Sequence, residues 1–116
     1  MLPKQFRLKK RNAFNATYKV KNSTHKSGVT LFAGLEKKVD GPTKVGFVVS
    51  KKTHKRAVKR NRLKRLMRES YRLLLKSDDL GNSQKYMSLI FIGTEKALNM
   101  SFAQINVIMK TLIERL

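Results

Sequence analysis

The chain has 116 residues, with 27 Lys and Arg against seven Asp and Glu, for a formal net charge of +20. That length fits one domain spanning 1–116, and 41% hydrophobic residues suffice for a core, which excludes wholesale disorder. Cysteine is absent, which excludes a disulfide framework, a thiolate zinc site and Cys nucleophilic chemistry.

No apolar run approaches a membrane span or a signal-peptide core, so a cytoplasmic protein without a membrane partner is expected. A polybasic protein lying on a membrane surface is the alternative, and the sharply apolar strands below argue against it.

Residues 1–11 (MLPKQFRLKKR) read as a basic, extended arm that Phe6 and Leu8 pin to the body as a short extra strand. From Asn12 to Lys21 the pattern predicts a short helix, with Phe14 and Tyr18 four apart on one face. As residues alone, these two aromatics read more simply as core; the functional alternative is an exposed step for an unpaired base. Residues 22–28 (NSTHKSG) read as a polar loop. Val29–Leu35 reads as a strand, followed by turn chemistry at Asp40-Gly41-Pro42. Lys44–Ser50 is a second strand, expected to be central because its apolar run is nearly continuous.

That strand is expected to feed through Lys51 and Lys52 straight into a basic helix fading near Leu75. The stretch Lys51–Arg72 holds 11 Lys and Arg and one acid, Glu69, and so carries half the net charge. Wound at about 100° per residue, Asn61, Arg65, Arg68 and Arg72 form one stripe, flanked by Lys64. Leu63, Leu66, Met67, Ser70 and Leu74 define the opposite, core-facing side. Solvated charged faces usually mix signs, whereas this one repels itself, so an acidic partner is expected, and nucleic acid above all.

Residues 76–85 form a loop containing Asp78-Asp79. Tyr86–Gly93 is a third, buried strand. Ser101 with Gln104 then spells a capping box that opens a helix with Phe102, Ile105, Ile108, Met109, Leu112, Ile113 and Leu116 on one face. The order α-β-β-α-β-α gives an α+β class, a single-domain α-β sandwich with the basic helix in a β-α-β crossover and the helices over one sheet face. The other face, or a cleft beside the first helix, is left for a ligand.

Catalytic chemistry is missing. His25 and His54 sit among lysines without ligand spacing, and Asp78-Asp79 has no third acid nearby. No catalytic or metal-binding residue is therefore assigned, and a self-sufficient nuclease is disfavoured.

The stretch KRNRLKRLMRES at Lys59–Ser70 resembles the RNR motif of the bacterial ribonuclease P protein component family. RLKKRNAF at Arg7–Phe14, VVSKK at Val48–Lys52 and RESYR at Arg68–Arg72 match family segments in the same order. The resemblance implies the protein subunit of a ribonucleoprotein endonuclease that removes the 5′ leader of precursor tRNA. It implies one catalytic RNA per protein, with magnesium held mainly by that RNA, no cofactor on the protein alone and no small-molecule substrate. The implied RNA-binding residues are Lys51, Lys52, Arg56, Arg60, Asn61, Arg62, Lys64, Arg65, Arg68 and Arg72. Phe14, Tyr18 and Phe32 match positions lining a cleft for the leader. The resemblance also implies a left-handed crossover, where general chirality favours a right-handed one, and an extra short strand without a fixed place. A ribosomal-type or RNA-chaperone protein lacking a substrate cleft is the competing function.

Overall fold

The computed structural model describes residues 2–116. In chain order the elements are α1 (Arg11–Val20), β1 (Asn22–Lys26), β2 (Val29–Ala33), β3 (Lys44–Val48), α2 (Ala57–Lys76), β4 (Ser88–Gly93) and α3 (Phe102–Glu114). The strands form one mixed sheet in the order β1-β2-β4-β3, with β3 parallel to β4 and the other pairs antiparallel. An α+β domain with a β3-α2-β4 crossover between parallel neighbours is the expected class.

Four sequence expectations change. First, residues 22–28 are not a loop: β1 pairs with β2 from Asn22↔Ala33 to Lys26↔Val29, and this is the extra strand. Ser27 and Gly28 turn the hairpin with φ of 48° and 94°, the left-handed pair that a two-residue connection requires. Second, β3 is not central but at the sheet edge, and β4 is the strand with neighbours on both sides. The arm blunts that edge through one parallel bridge, Arg7↔Val45, where the Leu8 amide donates to the Val45 carbonyl at 2.9 Å. Third, the chain does not enter the basic helix at Lys51. Residues 51–53 make a turn, with the Thr53 amide on the Ser50 carbonyl and the Arg56 amide on His54 Nδ1, and α2 begins at Ala57. Fourth, the helices do not share one sheet face.

Register separates the two faces. Val29, Leu31 and Ala33 of β2, Val45 and Phe47 of β3, and Leu89 and Phe91 of β4 point to one side. There they meet Leu63, Met67 and Tyr71 of α2 and Ile105, Met109 and Leu112 of α3, all fully buried, in one core. Each such side chain contributes about 1.5–3 kcal/mol on burial. Gly93 lets α2 approach β4, since a Cβ there would stand 2.5 Å from Leu63 Cδ2. The capping box of α3 is complete in both directions, Gln104 N to Ser101 Oγ at 3.2 Å and Ser101 N to Gln104 Oε1 at 2.9 Å.

Helix α1 lies on the opposite face. Thr17, buried beneath it, shares a 2.6 Å hydrogen bond with Ser88 of β4, and Phe14 rests on Gly46 of β3. A Cβ at Gly46 would fall 2.5 Å from the Phe14 ring, so this glycine makes the seat for that aromatic.

Candidate nucleic-acid interface

Helix α2 buries Leu63, Met67, Ser70, Tyr71 and Leu74 and turns its cations outward. Asn61 and Arg65 are exposed, and Arg60, Arg62, Lys64, Arg68 and Arg72 are half-buried. A hollow of about 620 Å³ opens beside Arg65, lined also by Arg62, Leu66, Arg68, Glu69 and Phe102. The cations are not equivalent. Arg62 donates from Nη1 to the Leu98 carbonyl and from Nη2 to the Met100 carbonyl, both at 3.1 Å, and so clamps α2 to the segment that leads into α3. Arg72 pairs with Glu69 through Nη2–Oε1 at 2.6 Å and Nε–Oε2 at 3.1 Å. That fork holds the Glu69 carboxyl below its ordinary pKa, and pairing with Glu69 raises that of Arg72. The stripe is therefore not wholly unpaired. Arg68 lies with its guanidinium carbon 6.0 Å from the Phe47 ring centre, the outer range of a cation–π contact. The Arg60 Nε is buried and without a hydrogen-bond partner among the described residues.

Lys51, Lys52, Lys55 and Arg56 are all exposed in the turn between β3 and α2. This turn joins the edge of the sheet to the first turn of α2. It carries the basic surface from one to the other.

The second part of the site is the face under α1. Phe14, Tyr18 and Phe32 are each half-buried, neither core nor fully exposed. Tyr18 meets Phe32 edge-on, with ring centres 5.1 Å apart, the arrangement that aromatic quadrupoles favour. Partial burial raises the Tyr18 pKa. Beyond the aromatics the same sheet face continues through Thr30, Ile92 and Val48, all half-buried. Sequence reasoning passed over these three, although strand alternation places them with Phe32 once β4 is known to be central.

The acids gather nowhere: among the described residues no three His, Asp or Glu side chains come together as a metal site. Asp78 takes a left-handed φ of 57° and Asp79 accepts the Ser77 hydroxyl at 3.2 Å, in the turn that ends α2.

A family model described as Ribonuclease P matches residues 2–116. The chain belongs to the ribonuclease P protein family. It is 34% identical over 110 residues to the ribonuclease P protein component of Clostridium kluyveri, covering 95% of this chain and 93% of that one. The Symbiobacterium thermophilum component is 33% identical over 114 residues, 98% of this chain and 93% of the other. With the Nitrosomonas eutropha component the match is shorter, 38% over 71 residues, and spans 61% of this chain and 59% of that relative. Among solved structures, the Staphylococcus aureus RNase P protein superposes with a TM-score of 0.78 at 26% identity, over 97% of this chain and 95% of that one. The Thermotoga maritima RNase P protein, at 22% identity, shares the fold with a TM-score of 0.77. As a ribonuclease P protein, the chain is a subunit of the endoribonuclease of tRNA 5′ processing, and its partner is an RNA subunit. No helix among the described residues is long and apolar enough to cross a membrane.

Proposed function

We propose that this ribonuclease P protein makes two separate RNA contacts within a cytoplasmic ribonucleoprotein of one protein and one catalytic RNA. The outer side of α2, with the basic turn before it, takes the catalytic RNA. The cleft beside α1 takes the single-stranded 5′ leader of precursor tRNA. Asn61, Lys64, Arg65 and Arg68 supply the phosphate contacts, joined by Lys51, Lys52 and Arg56 from the turn. Arg62 and Arg72 are largely engaged within the protein, so they contribute field and shape more than direct forks.

The cleft reading is carried by one observation: the three aromatics share a sheet face and keep part of their surfaces in solvent, where a core role would bury them. Base stacking on such a step is tolerant of sequence, as leaders of many genes require. In this reading the protein supplies no nucleophile and magnesium is held by the RNA, where it would activate water and stabilise the leaving oxygen.

Leader length provides the test. Dissociation constants are measured for precursor tRNA with a long leader and with one nucleotide, using the holoenzyme assembled with wild type, Phe14→Ala or Tyr18→Ala. The long-leader substrate is expected to weaken about five- to over a hundredfold, as loss of a 1–3 kcal/mol stack dictates, and the short one to be spared. Equal losses on both substrates would return the aromatics to a structural role.

A further inference from the structure

Helix α1 divides its sheet face into two flanks, and the aromatic cleft occupies only one. On the other flank Ala13, Ala16, Leu35 and Met87 line a hollow of about 200 Å³. A second hollow of about 310 Å³ continues from it, shares Lys44 and Met87, and is lined further by Val39 and Pro42. Leu35 is 64% exposed, Met87 54% and Val39 80%, so half of the six exposed large apolar side chains among the described residues gather here. Scattered surface leucines need no explanation, but a contiguous apolar patch marks an interaction surface.

This patch is preformed. The Met87 amide donates to the Leu35 carbonyl and the Lys37 amide to the Lys85 carbonyl, both at 2.8 Å, and Glu36 bridges Tyr86. Backbone pairing thus fixes the segment, while the Leu35 and Met87 side chains stand away from the core. Lys37, Lys38 and Lys44 line this floor together with a single acid, Asp40. The rim is cationic on a molecule of +20 net charge, which fits a polyanion with an apolar, planar part. Nucleotides have that chemistry. A paired helix hides its base faces, whereas an unpaired nucleotide offers one, and the soft thioether of Met87 packs well on an aromatic ring.

We infer that this groove holds an unpaired nucleotide of the RNA subunit, its base on Leu35 and Met87 and its phosphates beside Lys37, Lys38 and Lys44. The inference rests on the proposed RNA-subunit contact and adds a second anchor to it, on the far side of α1 from the leader.

The experiment titrates the full chain with the catalytic RNA of the same organism across a range of salt. A Leu35→Ala/Met87→Ala variant removes apolar contact without charge. It is expected to bind about five- to fiftyfold more weakly with an unchanged salt slope, the signature of a lost stacking surface. A Lys37→Ala/Lys38→Ala variant is expected to lower the slope by about one to two instead. Arg65→Ala serves as the control for the α2 contact. If it lowers the slope while Leu35→Ala/Met87→Ala binds as wild type does, the groove assignment fails alone. If neither Arg65→Ala nor the groove variants change RNA binding, the α2 reading fails and takes the groove with it. An effect confined to precursor tRNA, with the catalytic RNA bound normally, also overturns the assignment. As an independent readout, a photoreactive residue at position 87 should crosslink to an unpaired nucleotide of the catalytic RNA. Crosslinks only to duplex or to protein refute it.

Discussion

The Arg62 clamp yields a prediction that separates structure from RNA binding inside a single motif. Its guanidinium forks onto two carbonyls, 36 and 38 residues further along the chain. A hydrogen bond to a charged donor is worth about 1.5–3 kcal/mol, and partial solvent exposure argues for the low end, so Arg62→Ala should cost roughly 2–4 kcal/mol. For 116 residues each kcal/mol moves the melting temperature by about 4 °C, so a fall of roughly 8–16 °C is expected. Arg62→Lys keeps the charge but loses the planar fork, and it should recover little of that loss. Thermal unfolding by circular dichroism and a salt titration of catalytic-RNA binding are measured on the same variants. Arg62→Lys should lower stability with an unchanged salt slope. An Arg62→Ala protein that melts like wild type yet loses about one unit of slope would show that Arg62 serves phosphate and not the fold.

The remaining self-repulsion of α2 predicts anion-dependent stability. Sulfate at ten times its dissociation constant should add about 1.4 kcal/mol, read as a melting temperature several degrees higher at constant ionic strength set with chloride. A melting temperature indifferent to the anion counts against this. Tyr71 makes an alkaline prediction: burial pushes its pKa up to about 12, and the Gln84 hydrogen bond only partly opposes this. The folded state therefore holds a proton that the unfolded chain releases near pH 10, and stability falls as pH rises from there toward 12 at about 1.4 kcal/mol per unit. Tyr71→Phe should lack this contribution, and parallel slopes for the two proteins between pH 10 and 12 would refute it.

What the sequence made legible followed from periodicity. Helix α3 announces itself through Ser101, Gln104 and an apolar stripe, because caps and 3.6-residue spacing are local signals. Strand β1 (NSTHK) has no apolar residue to alternate and is held by backbone pairing, so only the Ser27-Gly28 pair hinted at a hairpin. The apolar run of β3 was read as central, and it is an edge strand. Leu8 and Phe14 lie over Gly46 on one face and Tyr71 meets Phe47 on the other, which needs no strand on its far edge. In α2, periodicity placed Arg72 in the cationic stripe and the family resemblance added Arg62, but neither could see the carbonyls that engage Arg62, and the stripe was read as self-repelling despite Glu69 three residues before Arg72. For Phe14 and Tyr18 composition favoured core, and their half-exposure became visible only once α1 was seen to cover part of its face.

The position of β4 carries a consequence for how the protein is made. It is the last strand synthesised, yet it lies between β2 and β3, which do not pair with each other. Until Ser88–Gly93 leaves the ribosome, the β1-β2 hairpin and β3 have no common partner, and the apolar side of α2 has no completed sheet to cover. Non-local closure of this kind is slow, so the strongly cationic segment, made before β4, waits for that strand before the sheet it packs on can close. In a cell crowded with RNA, that interval exposes the basic residues to nonspecific nucleic acid before the fold that gives them a defined geometry exists.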